Sequence, residues 1–203
     1  MHTFADALRV KDGSIFDLLH HSFVERDFVF FAHLTTYLKN VTGCTEEDAM
    51  VFAKLSELLY LSSLLHFSVA EQTETTEALR AEKQMPVLLG DLLYGKFISA
   101  LIEHGKSTCL PTYLVYLKQF NVCGVDAQEG RMQYSMDNAV QLLTEKTAEA
   151  MALFSGCQVE PVVQEANAYF SKQWMSSSRE TVTTLDALKT LLEREFGQGA
   201  MVC

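Results

Sequence analysis

Two glutamates, Glu71 and Glu180, each stand without another acid in the three residues before them. Each is preceded by aromatic or hydroxyl side chains: Phe67 and Ser68 before Glu71, and Ser176 and Ser177 before Glu180. Mg²⁺ takes oxygen ligands in near-octahedral geometry, and phosphate chemistry needs several carboxylates grouped around it. A lone glutamate beside phenylalanine and serine cannot assemble such a site. At these positions we therefore expect neither a metal ligand nor a catalytic residue.

The other side chains that could do chemistry are thiols. Five cysteines are spread along the chain: Cys44, Cys109, Cys123, Cys157 and Cys203. Their number is odd, their spacings are wide and no Cys-x-x-Cys occurs. This pattern favours reduced thiols in a cytoplasmic protein over a disulfide framework or a zinc site.

Composition limits the class of protein further. The chain has 203 residues, 48% of them hydrophobic, and a formal net charge of −10. A single large core is therefore feasible, whereas binding to nucleic acid or to an anionic membrane surface is disfavoured. The N-terminal residues do not resemble a signal peptide. The longest uncharged apolar run, about Leu58 to Ala70, is shorter than the roughly 20 residues of a membrane helix. We expect no membrane span.

The spacing of apolar residues predicts an all-α fold. Prolines are scarce, and no alternating strand pattern persists. One helix is predicted from a capping arrangement at Thr45 to about His66, another opens at Ser135, and a last one at Thr184. Residues 15–40 predict one or two Phe-rich helices, and residues 70–82 a polar loop or helix. We expect a single domain over 1–203, with a frayed tail at 197–203.

Two motifs resemble those of the polyprenyl diphosphate synthases, which are all-α bundles around a central cavity. One is the run Gln-Met-Pro-Val-Leu-Leu-Gly-Asp at residues 84–91, and the other is the pair Lys146-Thr147. The resemblance covers about Ala49 to Glu180. It is greatest to the small, non-catalytic subunits of heterodimeric members, such as the first component of bacterial heptaprenyl diphosphate synthases.

The resemblance explains why the isolated acids matter. Catalytic members carry Leu-Leu-His-Asp-Asp-x-x-Asp where this chain has residues 64–71, and a second aspartate-rich motif where it has residues 173–180. Only the last acid of each motif remains here, as Glu71 and Glu180. The resemblance therefore implies a scaffold that has lost its Mg²⁺ ligands, with Mg²⁺ held instead by a catalytic partner.

Other positions take expected roles from the same resemblance. Lys146 and Thr147 correspond to a pair that contacts the allylic diphosphate, although a solvated lysine and a packing threonine are an open alternative. Ser62 and Ser63 correspond to the floor of the product tunnel, or serve close helix packing. The segments 87–104 and 111–125 correspond to the subunit interface.

Three functions stay open at this level. The first is a regulatory subunit that binds a catalytic polyprenyl diphosphate synthase, stabilises it and helps set product length in menaquinone side-chain synthesis. In that complex a prenyl chain could enter this subunit. The second is a helical homodimer on a degenerate isoprenoid-synthase scaffold that binds a protein or a lipid. The third is a metal-independent enzyme that uses the old cavity.

Overall fold

The structure is a computed structural model that describes residues 25–70 and 77–176, without the side chains of 25–28, 68–70, 77–86 and 128. These two stretches contain six α-helices and no strand, so the all-α prediction is confirmed. The helices are α1 (Glu25–Thr42), α2 (Glu46–Ala70), α3 (Glu77–Glu103), α4 (Leu110–Gln128), α5 (Met136–Ser155) and α6 (Val159–Gln173), with a 3₁₀ turn at Ser107–Cys109 before α4.

Helix α2 is the central element of the bundle. It packs most extensively on α3 and α1, and also on α5 and α4. Its apolar residues cover more than one face, as a helix enclosed by neighbours requires. Within the part of the chain that the structure describes, only Glu46–Phe67 is long and apolar enough to cross a membrane, and 78% of its most apolar window is buried inside the protein. That burial accounts for its composition.

Side-chain caps begin two of the helices where the sequence predicts them. The Thr45 hydroxyl accepts the Asp48 amide at 3.1 Å, and the Asp48 carboxylate accepts the Thr45 amide at 3.4 Å. Ser135 and Asn138 form the same reciprocal arrangement at the start of α5. Each cap satisfies backbone donors that the first helical turn leaves unpaired. Helix α2 continues to Ala70, past the predicted end near His66, because nothing between these positions breaks a helix.

The described apolar side chains form one core cluster with an aromatic group at one end. Trp174 lies in T-shaped contact with Phe30 of α1 and Tyr60 of α2, and its ring stacks on Phe170 of α6. This cluster joins three helices that are distant in sequence. The predicted helix at Thr184, the tail at 197–203 and residues 15–24 lie outside the described part. Of the polar segment predicted at 70–82, residues 71–76 also lie outside it, and residues 77–82 begin α3.

Candidate functional site

A partly open cavity of about 380 Å³ lies between α2, α3 and α4. Its floor is the C-terminal half of α2, and the other two helices form its walls. The residues that line it are Ser62, Ser63, His66, Asp91, Tyr94, Leu114, Leu117, Lys118, Phe120 and Asn121. The cavity therefore combines an apolar wall on α4 with polar groups from all three helices.

The two predicted tunnel-floor serines do lie at this cavity, and they also hold helices together. The Ser62 hydroxyl donates to the Gly90 carbonyl at 2.8 Å, which ties α2 to α3. The Ser63 hydroxyl accepts from the Tyr116 hydroxyl at 2.8 Å, which ties α2 to α4. Small side chains here leave room above them and let the backbones approach. Both expected roles of these serines are compatible with the geometry.

Gly90 is required at the closest approach of α3 to α2. A Cβ atom at this position would lie 2.4 Å from His66 Nε2 and 3.3 Å from the Ser62 carbonyl oxygen. The absence of a side chain at this position therefore permits close packing of α3 on α2. His66 Nε2 lies 3.3 Å from Asp91 Oδ1 at the cavity rim, and the two form an ion pair when the imidazole is protonated.

Phe67, which the resemblance aligns with the first aspartate-rich motif, packs among aromatic rings. The Phe67 ring lies 6.5 Å from that of Tyr134, which lies 6.2 Å from that of Phe120. Burial raises the pKa of Tyr134 to about 12, so its hydroxyl stays neutral. Phe67 is thus an apolar contact residue. Exposed Ser176 donates to the Ser171 carbonyl at 3.3 Å. Glu71, Ser177, Glu180 and the side chain of Ser68 lie outside the described residues.

Lys146 and Thr147 are placed differently although they are neighbours. Lys146 is half-buried, and its ammonium donates to Glu149 at 2.7 Å. Thr147 is fully buried, bonded to the Leu143 carbonyl at 2.7 Å and to the Ser56 hydroxyl at 2.7 Å. Thr147 therefore serves as a packing residue between α5 and α2 in this arrangement. A diphosphate contact by Lys146 stays a prediction.

Neither a known family nor a curated protein nor a solved structure matches this chain.

The resemblance to polyprenyl diphosphate synthases is accordingly carried by the sequence motifs alone. Among the side chains that the structure describes, no three His, Cys, Asp or Glu are grouped so that they could hold a metal ion. The described residues also form the cavity and outward-facing apolar surfaces.

Sequence reasoning missed the buried hydroxyls behind the cavity. Tyr113 and Tyr116 are fully buried one turn apart on α4, and burial raises the pKa of both phenols. The Tyr113 hydroxyl lies beside those of Ser56 and Thr147 but makes no well-aligned hydrogen bond within the described residues. The sequence signal for their burial is that the two tyrosines stand three residues apart, which places both on the core side of α4.

These tyrosines provide a matched pair of variants. Tyr116→Phe should lower the free energy of unfolding by about 1–1.5 kcal/mol, because a buried hydrogen bond is lost and Ser63 loses its donor. Tyr113→Phe should change it by less than about 0.5 kcal/mol, because removing a poorly paired buried hydroxyl costs little. Urea unfolding followed by circular dichroism measures both. Equal losses in the two variants would contradict the assigned hydrogen bonds.

Apolar side chains also cover outward faces of α3 and α4, within the predicted interface segments 87–104 and 111–125. On α4 they are Leu114, Val115, Val122 and Val125, which we call the α4 face, and on α3 they are Val87, Leu88 and Ile102. The spacing of these residues keeps each group along one side of its helix. Leu114 also lines the cavity, so the α4 face and the cavity are continuous.

Proposed function

We propose that this chain is the non-catalytic regulatory subunit of a heterodimeric long-chain polyprenyl diphosphate synthase. The catalytic partner supplies the grouped carboxylates and the Mg²⁺ and condenses isopentenyl diphosphate onto an allylic primer in the cytoplasm. The product is a heptaprenyl-type precursor of a menaquinone side chain. The motifs at 84–91 and 146–147 support this assignment, as does the aromatic packing of Phe67 where catalytic members have an aspartate.

The observation that carries the proposal is the α4 face. Its four large apolar side chains are exposed on a helix whose opposite side packs on the core. Apolar surface exposed along one side of a helix marks a binding surface more often than chance, and apolar residues concentrate in the buried centre of interfaces. Because the face lies in the segment that the resemblance assigns to the subunit interface, we assign it to the catalytic partner.

The cavity gives this subunit a means of acting on product length. Its floor of small serines and its wall of Leu114, Leu117 and Phe120 can receive hydrocarbon, and its edge adjoins the α4 face. In the complex the cavity would extend the partner's tunnel and accommodate the growing prenyl chain. Docking on the α4 face would also stabilise the catalytic subunit by mass action.

Activity assays and a binding variant test this proposal together. The purified chain should show no elongation with primer, isopentenyl diphosphate and Mg²⁺, and should restore or lengthen elongation when a catalytic subunit is added. Val115→Lys should weaken that binding at least tenfold, because a charge is buried at an apolar contact. Titration calorimetry measures the affinity.

Val41→Lys is the matched control. Val41 lies on α1 and is 39% exposed, against 42% for Val115 on the α4 face, so both substitutions add the same charge at similar exposure. The control should bind like the wild-type chain. Elongation by the isolated chain would refute the non-catalytic assignment. A homodimer that Val115→Lys dissociates, with no affinity for a synthase subunit, would instead identify a self-associating interaction protein.

A further inference from the structure

Two helices of this bundle end in the same kind of tripeptide, a hydroxyl residue followed by glycine and cysteine. Helix α1 ends at Thr42-Gly43-Cys44 and α5 at Ser155-Gly156-Cys157. Both glycines adopt positive φ, 71° and 70°, a conformation that glycine adopts without strain after a helix. Each cysteine is thereby turned out of its helix immediately after the last turn. The two helices pack against each other.

The contacts of the two thiols are reciprocal. Cys44 Sγ lies 2.8 Å from the Ser155 hydroxyl, and Cys157 Sγ donates to the Thr42 carbonyl at 3.2 Å. Each sulfur thus touches the residue that stands two positions before the other cysteine. Both thiols therefore occupy the small space between the two helix ends. Both are half-buried and present as free thiols.

We propose that Cys44 and Cys157 form an oxidation site that closes to an intramolecular disulfide on exposure to a low-molecular-weight disulfide such as oxidised glutathione. One cysteine thiolate attacks the oxidant's S–S bond, forms a mixed disulfide and releases one glutathione. The second cysteine thiolate attacks the protein sulfur of that mixed disulfide and releases the other glutathione. Two electrons pass to the oxidant, and the two thiol protons end on the released glutathiones.

The other cysteines within the described residues are less suited to this reaction. Cys109 is buried, its thiol contacts the Ala150 carbonyl at 3.8 Å, and burial raises the pKa of that thiol. A buried thiol with a raised pKa reacts slowly with a disulfide. Cys123 lies near the C-terminal end of α4, where it adjoins Tyr134. Neither shows contacts of the reciprocal kind that Cys44 makes with Ser155 and Cys157 makes with Thr42.

The bond would link the α1–α2 turn to the α5–α6 turn. It would close a loop of about 110 residues, and a cross-link across so long a loop restricts the unfolded chain strongly. We expect the midpoint of thermal unfolding to rise by about 5–10 °C on oxidation and to return on reduction. The inference is independent of the proposed function, because it concerns thiols outside the cavity and the α4 face.

Peptide mapping of the full chain tests the site directly. Trypsin places each of the five cysteines in a separate peptide, with Cys44 in residues 40–54 and Cys157 in 147–172. After treatment with oxidised glutathione and alkylation of remaining thiols, these two peptides should be recovered as one disulfide-linked species that separates on reduction. Recovery of both peptides alkylated, of either one only glutathionylated, or of Cys44 linked to another cysteine would overturn the proposal.

Single variants give a second, independent measurement. Cys44→Ser and Cys157→Ser should each abolish the linked species and the rise in unfolding midpoint, whereas Cys123→Ser should leave both unchanged. Cys123 is a fair control because it is half-buried like the other two. A midpoint that rises equally in all three variants would show that another reaction stabilises the protein. The mapping of the wild-type chain decides the matter even if a variant folds poorly.

Discussion

Trp174→Ala is expected to lower the free energy of unfolding by about 3–5 kcal/mol, the range found when a large buried aromatic residue is truncated. The indole is almost fully buried and contacts rings from α1, α2 and α6. Its Nε1–H donates to Asp137 of α5 at 2.8 Å. Truncation would therefore leave a cavity where four helices meet, and the surrounding rings could not fill it without moving.

Two further variants separate packing from general disturbance. Trp174→Phe keeps much of the ring packing but loses the hydrogen bond to Asp137, so its cost should be about 1–3 kcal/mol. Met175→Ala removes a neighbouring side chain that is 61% exposed, and its effect should stay within about 0.5 kcal/mol. Trp174 is the single tryptophan, so its substitution removes the fluorescence signal of unfolding. Circular dichroism in urea therefore suits all three variants. A loss below about 1 kcal/mol in Trp174→Ala would contradict the core position of this indole.

Lys106→Ala is expected to lower the free energy of unfolding by about 2–3 kcal/mol. The Lys106 ammonium is bonded to Asp48 and lies 3.5 Å from the centre of the Phe154 ring. Only 6% of the Lys106 side chain and 20% of the Asp48 side chain are exposed. Removing the cation would leave a carboxylate half-buried. The α2 N-terminus and Thr45 still stabilise that carboxylate, which keeps the cost below that of a fully buried pair.

The same pair predicts how stability depends on pH. The hydrogen bond from Lys106 lowers the pKa of Asp48 below its ordinary value of 3.8. Folding therefore gains stability from this carboxylate above about pH 4, and loses it as the pH falls through the lowered pKa. The stability gap between wild type and Lys106→Ala should accordingly narrow as the pH falls from 5 towards 2. A gap that widens in acid would contradict the pairing.

A second lysine serves as the control for charge. Lys39 pairs with Glu46, also in the first turn of α2, but 26% and 61% of these side chains are exposed. Lys39→Ala should cost less than about 0.5 kcal/mol, because water already screens that pair. Lys106→Met keeps the apolar stem against Phe154, so any loss it shows reports the missing charge. Equal losses in Lys39→Ala and Lys106→Ala would show that burial of the Lys106–Asp48 pair is unimportant.

The helices were predictable wherever their signals were local. Thr45 and Ser135 carry their capping partners three residues later, and an oxygen side chain at that spacing satisfies the first turn in any environment. The end of α2 was placed too early, because neither His66 nor Phe67 signals whether a helix continues.

The long-range pairings could not be obtained in the same way. Nothing in the sequence joins Lys106 to Asp48, Trp174 to Asp137, or Cys44 to Ser155, because each contact depends on how helices distant in sequence cross. The buried hydroxyls of Ser56 and Thr147 meet for the same reason. A serine or threonine in a helix pattern does not reveal whether a partner helix brings another hydroxyl within reach.

By itself the sequence determined the all-α fold class and the positions of two helix caps. These properties follow from spacing along a helix of fixed geometry and from side-chain chemistry. Only the tertiary structure decided that Ser62 and Ser63 border a cavity, that Thr147 is enclosed, and that the Cys157 thiol contacts the Thr42 carbonyl. Those outcomes depend on the packing of whole helices, which sums many weak contacts that no single residue encodes.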